Sequence, residues 1–180
     1  MVNMSWRRFT GWGRGTEGTT AIEFSLLAVP FMFFVMGIIE LSMMFLGEAV
    51  LNGAVYDASR AIRTGQAQQS ADPETTFTNV LCNHAQALMD CANLEYQVET
   101  LDSFSDADLA PQLDEDGHMI VPPFDAGGVS DIVIIRVTYL YPLMTPGIGQ
   151  FFADYPGNHK LLMATAVFES EPYDFVDDGT

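Results

Sequence analysis

Sixteen consecutive residues, FSLLAVPFMFFVMGII from Phe24 to Ile39, carry no charge, and beyond Glu40 the apolar character resumes as far as Leu46. As a helix, the 23 residues from Phe24 to Leu46 would extend about 35 Å, enough to cross a hydrocarbon core of about 30 Å with some tilt. Pro30 can kink such a helix without excluding it, because neighbouring helices or local adjustment satisfy the freed carbonyl. Arg7, Arg8 and Arg14 precede the run, and the excess of basic residues on that side orients the N-terminus to the cytoplasm, with residues from about 47 onward outside. A secretory signal has a shorter apolar core followed by small residues at its cleavage site, whereas this run ends in Leu-Ser-Met-Met-Phe. No cysteine precedes Cys82, which excludes a lipoprotein signal.

The charge is divided unequally. Residues 41–180 hold 21 of the 24 acids against Arg60, Arg63, Arg136 and Lys160, so that 4 − 21 = −17 accounts for the whole net charge of −17. Such a body repels nucleic acid and anionic lipid head groups, and neither is expected as its ligand. The 180 residues suffice for one anchored domain with a modest core.

An acid at Glu23, one residue before the run, requires an explanation, since a carboxylate in a membrane is costly without a partner or a role. One processing arrangement supplies it: a cut before the apolar run, after a small residue, with a glutamate five positions further on. Of the leader glycines, Gly11, Gly13 and Gly15 have Thr16, Gly18 and Thr20 at that distance; only Gly18 has an acid, Glu23. The alternative is an interfacial acid at a helix N-terminus, stabilised by the helix dipole and water.

Four segments, EGTTAIEFSLLAVPF, GIIELSMMF, AVYDASRAIRTGQA and ATAVFESEPY, together resemble the TadE-like pseudopilins of the tight-adherence (Flp, type IVb) pilus system. About a third of the chain is covered. The resemblance implies a prepilin peptidase site at Gly18 and Thr19 with Glu23 and Phe24, a second span glutamate at Glu40, the Ser59-Arg60 step, and a closing Ser170-Glu171-Pro172-Tyr173 segment. It implies roles in assembly for Glu23, Glu40 and Arg60. After cleavage the new α-amino group of Thr19, with an ordinary pKa of about 8, would lie charged in a nearly dry environment. Glu23 of a neighbouring subunit, or of the same helix end, would offset that charge. The implied partners are the prepilin peptidase, other pseudopilins, the Flp pilin and the assembly platform; the implied location is the bacterial inner membrane, with the acidic domain periplasmic. Glu40 lies about 24 Å beyond Phe24 along a helix, and is read as a carboxylate reaching the head-group region.

Past the membrane the helical pattern continues. Met44, Gly47, Leu51, Val55, Ala58 and Ile62 form an apolar stripe, with Glu48, Asn52, Tyr56, Ser59 and Arg63 on the polar side, and Gly65 is placed to end a helix of about 20–64. The default is packing on the protein's own sheet. Small residues at Gly47, Gly53, Ala54, Ala58 and Ala61 would also admit a partner helix. Asp72-Pro73-Glu74 opens a second helix with Phe77, Leu81, Ala85 and Leu88 on its apolar face. Cys82 and Cys91 would stand about 13.5 Å apart in continuous helix, so a disulfide requires the helix to stop near Met89 and the chain to turn back. An extracytoplasmic setting favours that bridge; a metal site with Cys82, His84 and Cys91 is the competing reading, without standard zinc spacing or an evident fourth ligand.

LEYQVET alternates as a half-buried strand, DIVIIRVTYLY (131–141) is apolar on both faces, and LLMATAVFES (161–170) follows as its neighbour. Residues 102–130 form an acidic insertion in which Asp116-Gly117 reads as a turn. DEDGH fails the EF-hand count, leaving a calcium site of another type open. His118 and His159 are read as solvated loop residues. Neither G-x-S-x-G, a P-loop, H-E-x-x-H nor C-x-x-C occurs, and no enzymatic activity, cofactor or metal is assigned.

The expected fold class is α+β: a long N-terminal transmembrane and stem helix, a second short helix, and a small antiparallel sheet of about three strands. The expected organisation is a leader over 1–18, likewise a transmembrane and stem helix over 19–65, and an acidic extracytoplasmic domain over 66–180. The alternative to a cleaved pseudopilin is an uncleaved single-pass protein whose domain binds a soluble ligand or cation.

Overall fold

The computed structural model describes residues 17–145 and 147–173. The basic leader, residues 1–16, and the tail beyond Tyr173 lie outside the described residues. The chain forms two compact units, Met1–Ile39 and Glu40–Thr180.

The first unit contains the opening part of helix α1 (Glu17–Arg63). Its large apolar side chains are outward: Phe24 is 72 % exposed and Phe34 66 %. Among the described residues α1 is the one helix long and apolar enough to cross a membrane, and Pro30 lies inside it.

The second unit begins at Glu40 and holds the rest of α1, helix α2 (Pro73–Ala85), and strands β1 (Leu94–Leu101), β2 (Ile132–Pro142) and β3 (His159–Glu169), with a four-residue helix α3 (Gly149–Phe152) before β3. The strands form an antiparallel sheet in the order β1-β2-β3, so the fold is α+β. Register places Val98, Ile135 and Ala166 side by side, as it does Tyr96, Val137 and Ala164. This face joins Leu51, Val55, Ala58 and Ile62 of α1 and Phe77 and Leu81 of α2 in one apolar core.

The stripe on α1 therefore packs within its own domain. Gly47, Ala54, Ala58 and Ala61 are buried; a Cβ at Gly47 would stand 3.2 Å from Leu162. Of the small residues considered for bundling, only Gly53 is exposed. Ser59, expected on the polar side, is buried and donates its hydroxyl to the Tyr56 carbonyl at 2.7 Å. Gly65 follows the helix at φ 75°, a conformation that favours glycine.

Asp72 caps α2, accepting from the Thr75 amide at 3.2 Å. Phe77, Leu81 and Ala85 are buried as expected, but Leu88 lies beyond the helix end and is 38 % exposed, its place in the core taken by Met89.

β2 is covered on both faces for two different reasons. One face meets the helices; the other lies beneath the insertion 102–130. Arg136 on that second face is 5 % exposed, donates from Nε to the Asp108 carbonyl at 2.8 Å and pairs with Glu99. Thr165 donates to the Leu109 carbonyl at 3.1 Å, and the Asp125 amide donates to the Val98 carbonyl at 3.0 Å. The insertion is thus a fastened cover over the sheet rather than a loose acidic loop.

Candidate functional site

Three places hold the residues to which the family resemblance points: the start of α1, the Glu40 turn, and the junction of the stem with the C-terminal segment.

At the start of α1, Gly18, Thr19, Glu23 and Phe24 are all helical and exposed. At Gly18 a Cβ would meet nothing within 4 Å. Among the described residues no packing contact requires a glycine there, as is also true of Gly53. Glu23 joins no ion pair among the described residues.

Glu40 is the opposite case. Instead of reaching toward solvent or head groups, it is 4 % exposed. Its Oε1 accepts from the Met144 amide at 3.0 Å, and its Oε2 from the Thr145 amide at 2.9 Å and the Thr145 hydroxyl at 2.7 Å. Charge-assisted bonds to a carboxylate are the stronger kind, and three of them hold the turn after β2 to the helix. Nearby, burial first and the Glu40 charge second raise the Tyr141 phenol above its ordinary value of 10.0. The sequence could place Glu40 by depth along the helix but not find its partners, which lie 104 and 105 residues away.

At the junction, the Arg63 carbonyl accepts from the Glu171 amide at 2.9 Å, and Arg63 Nε stands 3.4 Å from the Glu171 carboxylate. A Cβ on Gly65 would press on the Tyr173 ring at 2.8 Å. Two of the four motif segments, separated by a hundred residues of sequence, thus meet in one place. Arg60 is exposed.

Cys82 and Cys91 form a disulfide, with Cα atoms 5.6 Å apart. α2 stops at Ala85 and the chain turns, which allows the approach. His84 is not a ligand beside them; its Nε2 is 2.8 Å from the Asp57 carboxylate. Among the described residues no three His, Cys, Asp or Glu side chains converge to hold a metal. In the insertion, the Asp114 carboxylate accepts from the Asp116 and His118 amides at 3.0 and 2.8 Å, shaping the turn at Gly117. His118 is tied to Glu95; that hydrogen bond, then the Glu95 charge, raises its pKa above the ordinary 6.5. Both groups line a cleft of about 560 Å³ together with Asp116 and His159.

The fold and these contacts define an acidic α+β head that begins on an apolar, outward-facing helix. Residues 18–60 match the family model described as TadE-like protein, so that segment of the chain is similar to that family. No curated protein and no solved structure matches the chain.

Proposed function

We propose that this protein is a membrane-anchored minor pseudopilin of the TadE-like kind, cut by a prepilin peptidase between Gly18 and Thr19 and supporting assembly of a Flp-type adhesive pilus. One observation carries the reading: Gly18 stands five positions before Glu23 at the head of an exposed apolar helix. A peptidase that must seat the chain closely gives such a glycine a purpose. The TadE-like match over residues 18–60 supports the same reading.

On this reading residues 1–18 form a cytoplasmic leader, residues 19–65 the span and stem, and residues 66–180 a periplasmic head. The Thr19 amine, once freed, pairs with a carboxylate of a neighbouring subunit, or with Glu23 at the same helix end, and Glu23 sets register as the assembly platform adds subunits. Glu40 acts from within, fixing the head to the stem, and exposed Arg60 is available to partners. The role is non-catalytic. The cleft at His118 and Glu95 favours a second reading, an uncleaved anchored domain that binds a soluble ligand.

Deletion of the protein and the Gly18→Phe variant, each in the native host, test the proposal. Loss of surface pili on deletion, with an unprocessed precursor in the variant, is expected. Normal piliation with normal maturation of Gly18→Phe would contradict it and leave the cleft as the place to look.

A further inference from the structure

We propose that the outer edge of β3 is an interaction surface for a second copy of this chain, two heads joining their sheets by antiparallel pairing of β3 with β3. The surface lies wholly within the unit Glu40–Thr180, so the inference stands whether or not residues 1–18 are removed.

The ladder fixes which backbone groups face outward. The Leu143 amide donates to the Asn158 carbonyl and the Ser170 amide to the Asp131 carbonyl, and both pairs continue the β2–β3 register. Bonded pairs recur at every second residue of an antiparallel ladder, so the even-numbered residues of β3 turn their amides and carbonyls to β2. Those of Leu161, Met163, Thr165 and Val167 turn away from it. Among the described residues no backbone hydrogen bond reaches these outward groups. The other edge of the sheet differs: on β1 the outward Val98 carbonyl accepts from the Asp125 amide, and a Cβ on Gly127 would stand 2.8 Å from Thr100 Cγ2. The insertion closes one edge and leaves the other open.

An open edge invites another strand, and chains that must stay single blunt it with charge, proline or a bulge. Residues 161–168, LLMATAVF, contain neither charge nor proline. The 11 residues of β3 pair with β2 one for one, without a bulge.

The edge is also complementary to itself. About a twofold axis at Ala164, Leu161 lies opposite Val167 of the second copy and Met163 opposite Thr165, so the central pairs carry no charge. Met163 is 39 % exposed, and Leu109, whose carbonyl accepts from the Thr165 hydroxyl, is 59 % exposed. The axis brings Met163 of each copy to Thr165 and Leu109 of the other, covering apolar surface that each head leaves open. Glu169, the acid of this edge, falls opposite His159. Two acidic heads repel through their exposed charges, and salt screens that repulsion. A basic partner would show the opposite dependence on salt.

Sedimentation of the full chain in detergent solution tests the inference, with molar mass followed against protein concentration and salt. A dimer that dissociates on dilution, and less readily as salt rises, is expected. Val167→Pro removes an outward amide without taking a bond from the β2–β3 ladder, and Met163→Lys sets a charge on the edge. Each should give a monomer with the denaturation midpoint of the parent; if Val167→Pro lowers that midpoint, Met163→Lys decides. Mild oxidation reads the pairing. A mixture of Met163→Cys and Thr165→Cys chains should form a cross-linked dimer, since the two positions face each other at about 5.5 Å between Cα atoms. Neither chain alone should do so, because like positions stand roughly 7–8 Å apart. A monomer at every salt concentration overturns the inference, as does a dimer that survives both edge variants, or one whose cross-links join like positions.

Discussion

The two ends of α1 are both rich in apolar residues, yet they have opposite surroundings. From Phe24 to Ile39 the side chains are mostly large and outward; from Gly47 to Ile62 the inward positions are small or branched, and Leu51, Ala54, Ala58 and Ile62 are fully buried. Hydropathy alone does not separate them. Size and spacing do: Gly47, Ala54 and Ala58 let a sheet approach, whereas the phenylalanines and methionines of the first stretch form no periodic stripe for one. The two glutamates repeat the contrast. Glu23 is exposed and joins no ion pair among the described residues, and Glu40 is buried under three donors. An acid whose bonds are already made serves the fold of its own chain; an acid left open is available to another.

The largest effect that could break this contrast is expected at Glu40. Glu40→Ala strands the buried amide and hydroxyl of Thr145 and the partly buried Met144 amide, and should lower the stability of the head by about 3 kcal/mol, read as a fall in the denaturation midpoint in detergent. Glu23→Ala should leave that midpoint unchanged and reduce piliation. Equal midpoints for the two variants would erase the distinction. Reducing the Cys82–Cys91 bridge, which closes a loop with a sequence separation of 9, should cost about 2–3 kcal/mol, seen as a lower midpoint with reductant; no shift would mean that the turn after α2 holds unaided. Gly65→Val, at φ 75° and against Tyr173, should cost about 2 kcal/mol, and an unchanged midpoint would mean that the stem junction yields.

The smallest effect concerns His118. Because the folded-state pKa is raised, the stability from its link to Glu95 is fully present below the ordinary value of 6.5 and is lost as pH rises through the raised value. The imidazole proton shifts of His118 should titrate above 6.5 and move down in Glu95→Gln. An identical midpoint in both would remove Glu95 as the cause.

The elements were legible because each carries a local signal. Asp72-Pro73-Glu74 announces α2 by its cap, alternation in LEYQVET announces β1, and the two-faced apolar run of β2 announces a central strand. What remained hidden depends on contacts distant in sequence. The sequence shows that β2 is covered twice but not by what, since the covering insertion is polar and is held by Arg136, whose charge gives no hint of burial. Ser59 falls on the polar side of a helical wheel and is nevertheless buried, its hydroxyl satisfied within its own helix by the Tyr56 carbonyl. Glu40 could be placed by depth, but its fate depends on amides that no periodicity connects to it. Of the proposed processing site, the five-residue spacing from Gly18 to Glu23 was readable in sequence.

The most direct test of the account is the first residue of the mature protein, isolated from membranes of its native host and read by terminal sequencing or intact mass. The account predicts a start at Thr19. A start at Met1, or one beyond the apolar run near residue 47, would contradict it.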